Sequence, residues 1–306
     1  MRGPHPVMYY VLVSTSCCVL TQHDVAWTGL ARQGFGRVPK AAAHFKYQNM
    51  DTDYKSRVYT APHNGRKYMA TVLGLAKDGG SVYGANVTRL PKFYKMWARA
   101  WPGLLIKHQP TFINHPELMA YGLAAASYLA LTDSLAYLRE HNESCDYHLF
   151  LEDDALPFNF MSWPSQGLNN NLDARLDELN VLGGAALLLG GHVFQNISKA
   201  DAAQVAARPL GGIIPATMAY GTYGYILECT ILDVVATRIH AHLRSTAGRT
   251  ACFEQVLWDA LAMLQNRIIG TGGYVSVPLM VDHAHGFSAT WNRTVIRSFE
   301  GNATFW

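Results

Sequence analysis

The sequence predicts an α/β fold, a mixed, mostly parallel sheet with helices on both faces. Three observations carry that expectation. Short apolar runs suited to doubly buried strands alternate with amphipathic stretches suited to helices. Hydrophobic residues make up 49% of the 306 positions and charged ones only 15%, which excludes a disordered chain and provides for a substantial core. The apolar run at 147–151 ends abruptly in Glu152-Asp153-Asp154. Acids at the C-terminal end of a buried strand stand where open α/β sheets bind their ligands.

The elements follow in order. A first core strand is expected at 68–75, with Gly79-Gly80 just beyond it. Phe93, Met96, Trp97 and Ala100 recur at helical spacing after Pro91, which places a helix over 91–101. A second strand is expected at 104–106, then a long helix rich in Ala, Leu and Tyr at 117–140, then the strand that ends in the acids. Further on, 172–179 reads as a helix and 185–191 as another buried strand with a glycine exit. The stretch 217–225 is aromatic and Gly-rich and leads into a helix over 231–243, with a further helix over 253–264. A short alternating strand at 274–277 is ended by Pro278 and followed by Asp282-His283-Ala284-His285-Gly286. No repeat or low-complexity tract interrupts 67–306, so one domain is expected there.

Residues 1–24 hold a mostly apolar run from Val7 to Leu20, preceded by Arg2 and His5 and closed by Gln22-His23-Asp24. That is too short for a standard spanning helix and matches a signal-peptide core, so the segment reads as a signal peptide or signal anchor. A first buried strand and a misassigned start of the reading frame are the alternatives. Residues 25–66 are polar, aperiodic and punctuated by Gly and Pro, and read as an irregular stem. The N-glycosylation acceptor pattern occurs at Asn86, Asn142, Asn196, Asn292 and Asn302. Together these features lean toward the secretory pathway, the endoplasmic reticulum or Golgi lumen, with the cytoplasm as the alternative. Membrane contact is expected only through the N-terminal segment.

Cys17 and Cys18 fall in that segment, leaving Cys145, Cys229 and Cys252, an odd number with room for one disulfide and no encoded pairing. No Cys/His set has zinc spacing. The net charge of +3 is dispersed along the chain, which gives no footprint for nucleic acid. Neither a Gly-x-Gly-x-x-Gly after the first strand nor a Walker loop is present, so nicotinamide and ATP chemistries lack support.

The segment from Ala120-Tyr121-Gly122 to Leu138, followed by Asp146-Tyr147-His148-Leu149-Phe150-Leu151-Glu152-Asp153-Asp154-Ala155, resembles the centre of family 25 glycosyltransferases, the group of lipopolysaccharide glycosyltransferases and collagen galactosyltransferases. Leu187-Leu188-Leu189-Gly190 is similar to that family's strand ending in Leu-Gly, Ala219-Tyr220-Gly221 to its Ala-Tyr segment, and Pro278-Leu279 to its C-terminal edge. In order, these pieces cover about 67–290. The chain departs from the family in lacking its opening Asn-Leu pair with an Arg-rich turn, and its Leu-Ser-His sequence. The resemblance implies a GT-A-like (Rossmann-like) fold and transfer of a hexose from a nucleotide-sugar donor to a glycan or protein hydroxyl.

Such a transfer must neutralise a departing diphosphate, and a Mn²⁺ or Mg²⁺ held by carboxylates does so while leaving positions open for phosphate oxygens. Strand alternation sends Glu152 and Asp154 to the same side, which makes Asp154 the first expected metal ligand with Glu152 or Asp153 in support. An acidic turn that merely caps a following helix is the structural alternative. His283, or His285, is the expected imidazole completing the metal site. Arg89, Glu152, Asp153 and Tyr220 are the expected nucleotide-sugar contacts. Tyr223 and Trp291 are further aromatics that stacking or a core place would explain. Glu254 and Asp259 sit where the family has an acid before a helix, and are the expected sources of the catalytic base; favouring a helix macrodipole is the competing role of Glu254.

A haloacid-dehalogenase-type phosphatase needs Asp-x-Asp-x-Thr, whereas here the frame is Glu152-Asp153-Asp154-Ala155-Leu156, without the nucleophilic Asp. A catalytically silent carbohydrate-binding protein on the same fold is the alternative function.

Overall fold

The computed structural model describes residues 61–63, 65–74, 81–82, 85–86, 89–101, 103–110, 122–157, 167–191, 193–195, 197–216, 218–220, 223–244, 253–265, 273–283, 286–288 and 293–295. The N-terminal apolar run and most of the expected stem lie outside these residues.

In chain order the strands are β1 (Ala61–His63), β2 (Arg66–Gly74), β3 (Ser81–Val82), β4 (Ala85–Asn86), β5 (Ile106–Pro110), β6 (Tyr147–Glu152), β7 (Ala155–Pro157), β8 (Ala186–Gly190), β9 (Val193–Gln195), β10 (Gly212–Pro215), β11 (Met218–Tyr220), β12 (Gly224–Glu228), β13 (Gly273–Val277), β14 (Val281–His283), β15 (Gly286–Ser288) and β16 (Arg293–Val295). The helices are α1 (Leu90–Ala100), α2 (Gly122–Glu140), α3 (Gly167–Val181), α4 (Lys199–Ala206), α5 (Leu232–Arg244) and α6 (Phe253–Gln265). Residues 61–66, assigned to the irregular stem from sequence, contribute β1 and the start of β2.

The α/β architecture is as expected: one mixed sheet of eight strands between two helical layers, in the order β1-β2-β6-β12-β8-β13-β10. β5 shares an edge of β2 with β1, since β1 pairs with its first residues and β5 with Ala70–Gly74. Strands β2, β5, β6, β8 and β13 run one way; β1, β12 and β10 run against them. One face buries Phe150, Leu188, Tyr225 and Val275 with residues of α2, α5 and α6. The other buries Ala70, Leu149, Leu187 and Ile226 with residues of α1 and α3. Both faces are apolar because every central strand is covered twice, which explains the unbroken apolar runs in the sequence.

The order of connections locates a crevice. From β2 the chain passes through α1 to β5 on one side, then returns through α2 to β6 on the other. The two crossovers, from β2 to β5 and from β5 past β2 to β6, run in opposite directions, and their helices pack on opposite faces. Such a reversal opens a cleft at the C-terminal ends of the two strands beside it, here β2 and β6, and ligands of open α/β sheets bind there.

Candidate functional site

The acids stand at that cleft. β6 pairs with β2 through Leu73↔Glu152, and the strand then ends in a turn at 153–154. The Asp153 N–H donates to Leu73 O at 3.0 Å, and the Glu152 N–H to Tyr223 O at 2.9 Å, so main-chain bonds to both neighbouring strands hold the turn. Gly74 ends β2 so close to Asp153 that a β-carbon there would lie 2.6 Å from the Asp153 β-carbon. Only a residue without a side chain lets the two strand ends approach this closely.

Arg89, immediately ahead of α1, reaches the turn. Its Nη1 donates to Asp154 Oδ2 at 2.5 Å and lies 3.4 Å from Asp153 Oδ1. Asp154 is only 6% exposed, so this is a largely desolvated pair with two carboxylates facing one guanidinium nitrogen. Trp97 fixes α1 on the same turn, its Nε1 donating to Ala155 O at 3.0 Å. Phe93 and Trp97, one helical turn apart, are both buried and fix which side of α1 faces the sheet. His108 of β5 completes this edge, with its Nε2 3.2 Å from Gly74 O.

The strand stops at Glu152, and just beyond it Asp153 and Asp154 converge on Nη1 of Arg89. Among the described residues no three His, Cys, Asp or Glu side chains are grouped to hold a metal ion. Two converging carboxylates do fit a Mg²⁺ or Mn²⁺ that takes its remaining ligands from substrate phosphate and water. Arg89 balances one of the two charges.

β14 arrives at the same place. It pairs antiparallel with β7 so that His283 lies opposite Ala155, next to Asp154 in the chain. The cis Val277–Pro278 bond follows β13, and buried Arg175 of α3 donates from Nε to Ser276 Oγ and from Nη2 to Val277 O. Ser276 Oγ in turn donates to Pro278 O, and the Met280 N–H to Leu189 O. Burial lowers the Arg175 pKa to about 10, which still leaves the guanidinium charged.

The other expected residues fare differently. The side chain of His283, and all of His285 and Trp291, lie outside the described residues. Tyr220 ends β11 with its backbone opposite Val193; its side chain is likewise outside them. Tyr223 is a core residue, 3% exposed, so the core reading holds for it. Glu254 lies in the first turn of α6, with its side chain not described. Asp259 is exposed on α6, where its charge acts on His242 of α5. Sequence reasoning missed Gly74 and His108. Gly74 was legible only as a strand residue, and His108 fell beyond the expected end of its strand.

Cys145 and Cys229 form a disulfide at the opposite end of β6. No helix among the described residues is long and apolar enough to cross a membrane.

No protein-family model and no curated protein matches the chain. Among solved structures, the chain is similar to one described as a glycosyltransferase involved in the glycosylation of the major capsid of PBCV-1. The likeness has 14% sequence identity and a TM-score of 0.37, over 68% of this chain and 82% of that one. A likeness at that level bears on neither the reaction nor its residues.

Proposed function

We propose that the chain is a metal-dependent glycosyltransferase of the GT-A type, related to family 25, that moves a hexose from a nucleotide sugar, a UDP-sugar first of all, to a hydroxyl of a glycan or protein. One observation carries the reading: two nearly buried carboxylates converge at the cleft between β2 and β6, with a guanidinium beside them. The residue-level resemblance described above supports it.

In this reading Asp153 and Asp154 hold a Mn²⁺ or Mg²⁺, with His283 brought alongside by β14 and Glu152 in support. The ion, when bound, neutralises the charge that develops on the leaving diphosphate. Arg89 exchanges part of its pairing with the acids for a diphosphate oxygen, as a planar donor at a helix start is suited to do. Tyr220 contributes to the donor pocket. Glu254 or Asp259 takes the acceptor proton. The secretory lumen is the proposed compartment.

The test is a screen of UDP-sugars with and without Mn²⁺ using the full chain, scored by donor cleavage. Asp154→Ala should lower Mn²⁺-dependent cleavage at least about 100-fold, the scale expected when an electrostatic contact to the transition state is removed. Glycan binding with no turnover of any donor would instead establish the catalytically silent protein.

A further inference from the structure

We infer that Asn142 is an N-glycosylation site, on the end of the domain opposite the acidic cleft. The acceptor pattern Asn142-Glu143-Ser144 closes α2. Asn142 has φ 49°, and main-chain bonds close the turn around it, from the Asn142 N–H to Arg139 O and from the Glu143 N–H to Leu138 O. This is the usual helix stop with a left-handed residue, which Asn tolerates. Asn142 and Ser144 are both exposed, so an added glycan displaces no packed side chain. Of the other acceptor patterns, Asn86 lies within β4, and Asn196, Asn292 and Asn302 lie outside the described residues.

A second observation points to the same modification. Cys145 directly follows the pattern and is joined to Cys229. Disulfides persist in oxidising compartments, which are also where eukaryotic chains meet N-glycosylation. The donor is a lipid-diphosphate-linked oligosaccharide. Its anomeric C–O bond to the diphosphate breaks, the bond from that carbon to Asn142 Nδ2 forms, the amide loses one proton, and the lipid diphosphate departs. β6 spans six residues from Tyr147 to Glu152, with Asp153 next. At about 3.3 Å per residue the glycan therefore stands roughly 20 Å from Asp153 and Asp154 and leaves the cleft open.

The full chain, produced in eukaryotic cells behind a cleavable signal sequence, provides the test. Trypsin releases residues 140–175 as one peptide after reduction. Enzymatic deglycosylation in heavy-oxygen water should then convert Asn142 to labelled Asp in that peptide. Ser144→Ala, which spares the left-handed Asn142, should lose one glycan by gel mobility, and Ser144→Thr should keep it. Without reduction, Cys145 and Cys229 should resist alkylation. An unlabelled Asn142 in chains that hold the disulfide overturns the inference, as does Ser144→Ala migrating with the parent protein. The remaining acceptor patterns serve as internal controls, and donor cleavage by Ser144→Ala should match the parent.

Discussion

At the scale of single residues, the acidic turn depends on a neighbour that carries no side chain. Gly74 presses against Asp153, and a methyl group there would overlap the Asp153 β-carbon. Backbone bonds to Leu73 and Tyr223 prevent the turn from yielding freely. Gly74→Ala should therefore push Asp153 off the position it shares with Asp154 and Arg89. The expected result is a loss of about 1–3 kcal/mol in stability, typical of overpacking, with a fall of at least about 10-fold in Mn²⁺-dependent donor cleavage. Parent-level turnover in a folded Gly74→Ala protein would show that this close approach is not needed. His148 makes a different demand on the same strand. It stacks on Phe150 with ring centroids 4.1 Å apart and shares a hydrogen bond with Thr71 Oγ1. Full burial, with Lys107 nearby, lowers its pKa from 6.5 to about 3. Between those values the unfolded chain binds a proton that the folded chain refuses, so this stability is complete above pH 6.5 and drains away as the pH falls toward 3. Well below pH 6.5 the loss approaches about 1.4 kcal/mol per pH unit. Urea unfolding at pH 7 and pH 5 should show a larger loss for the parent than for His148→Gln, the carboxylate contributions being common to both. Equal losses would refute the assignment.

Elements differ in how far the sequence foretold them, for physical reasons. β2, β6 and β8 were legible because strands covered on both faces are apolar without interruption. α1 was legible because its buried residues fall at helical spacing. β5 was expected at 104–106 but spans Ile106–Pro110. Its polar Lys107, His108 and Gln109 disguise it, although Lys107 there makes an ion pair with Asp133. β12 was missed altogether, although it lies in the middle of the sheet. Only Glu228 separates its apolar residues from Cys229–Ile231 and α5, and hydrophobicity alone cannot divide a short buried strand from the first turn of a buried helix. β7 and β14 are three residues each and mutually dependent, so neither signals itself locally. The site shows the same division. The acids and Arg89 were readable as residue types at particular strand and helix ends. That Asp153 and Asp154 both meet Arg89 was not, because it depends on where the strand stops.

Across the whole molecule, the pairing of cysteines was the least local feature and it sets a stability term of its own. Cys145 and Cys229 are 84 residues apart, a spacing that carries no motif. They meet because β6 and β12 pair antiparallel through Tyr147↔Glu228, which leaves the two cysteines at the same end of the ladder. The Cys229 N–H also donates to Asp146 O, so the backbone brings them together independently of the sulfurs. The link therefore adds little to native contacts, and its main effect falls on the unfolded chain, where it closes a loop containing β6 to β12. For a loop of that length, the loss of chain entropy corresponds to about 4.5 kcal/mol, against a typical domain stability of about 5–15 kcal/mol. Cys145→Ser/Cys229→Ser should consequently remain folded with the same circular dichroism spectrum at low temperature, yet unfold at a markedly lower urea concentration. Its denaturant dependence should steepen as well, because an unlinked chain exposes more surface on unfolding. Reductant should bring the parent protein down to the variant's midpoint and leave the variant unchanged. A midpoint that neither reductant nor the double substitution moves would mean that the ladder of β6 and β12, rather than the covalent link, holds that end of the sheet.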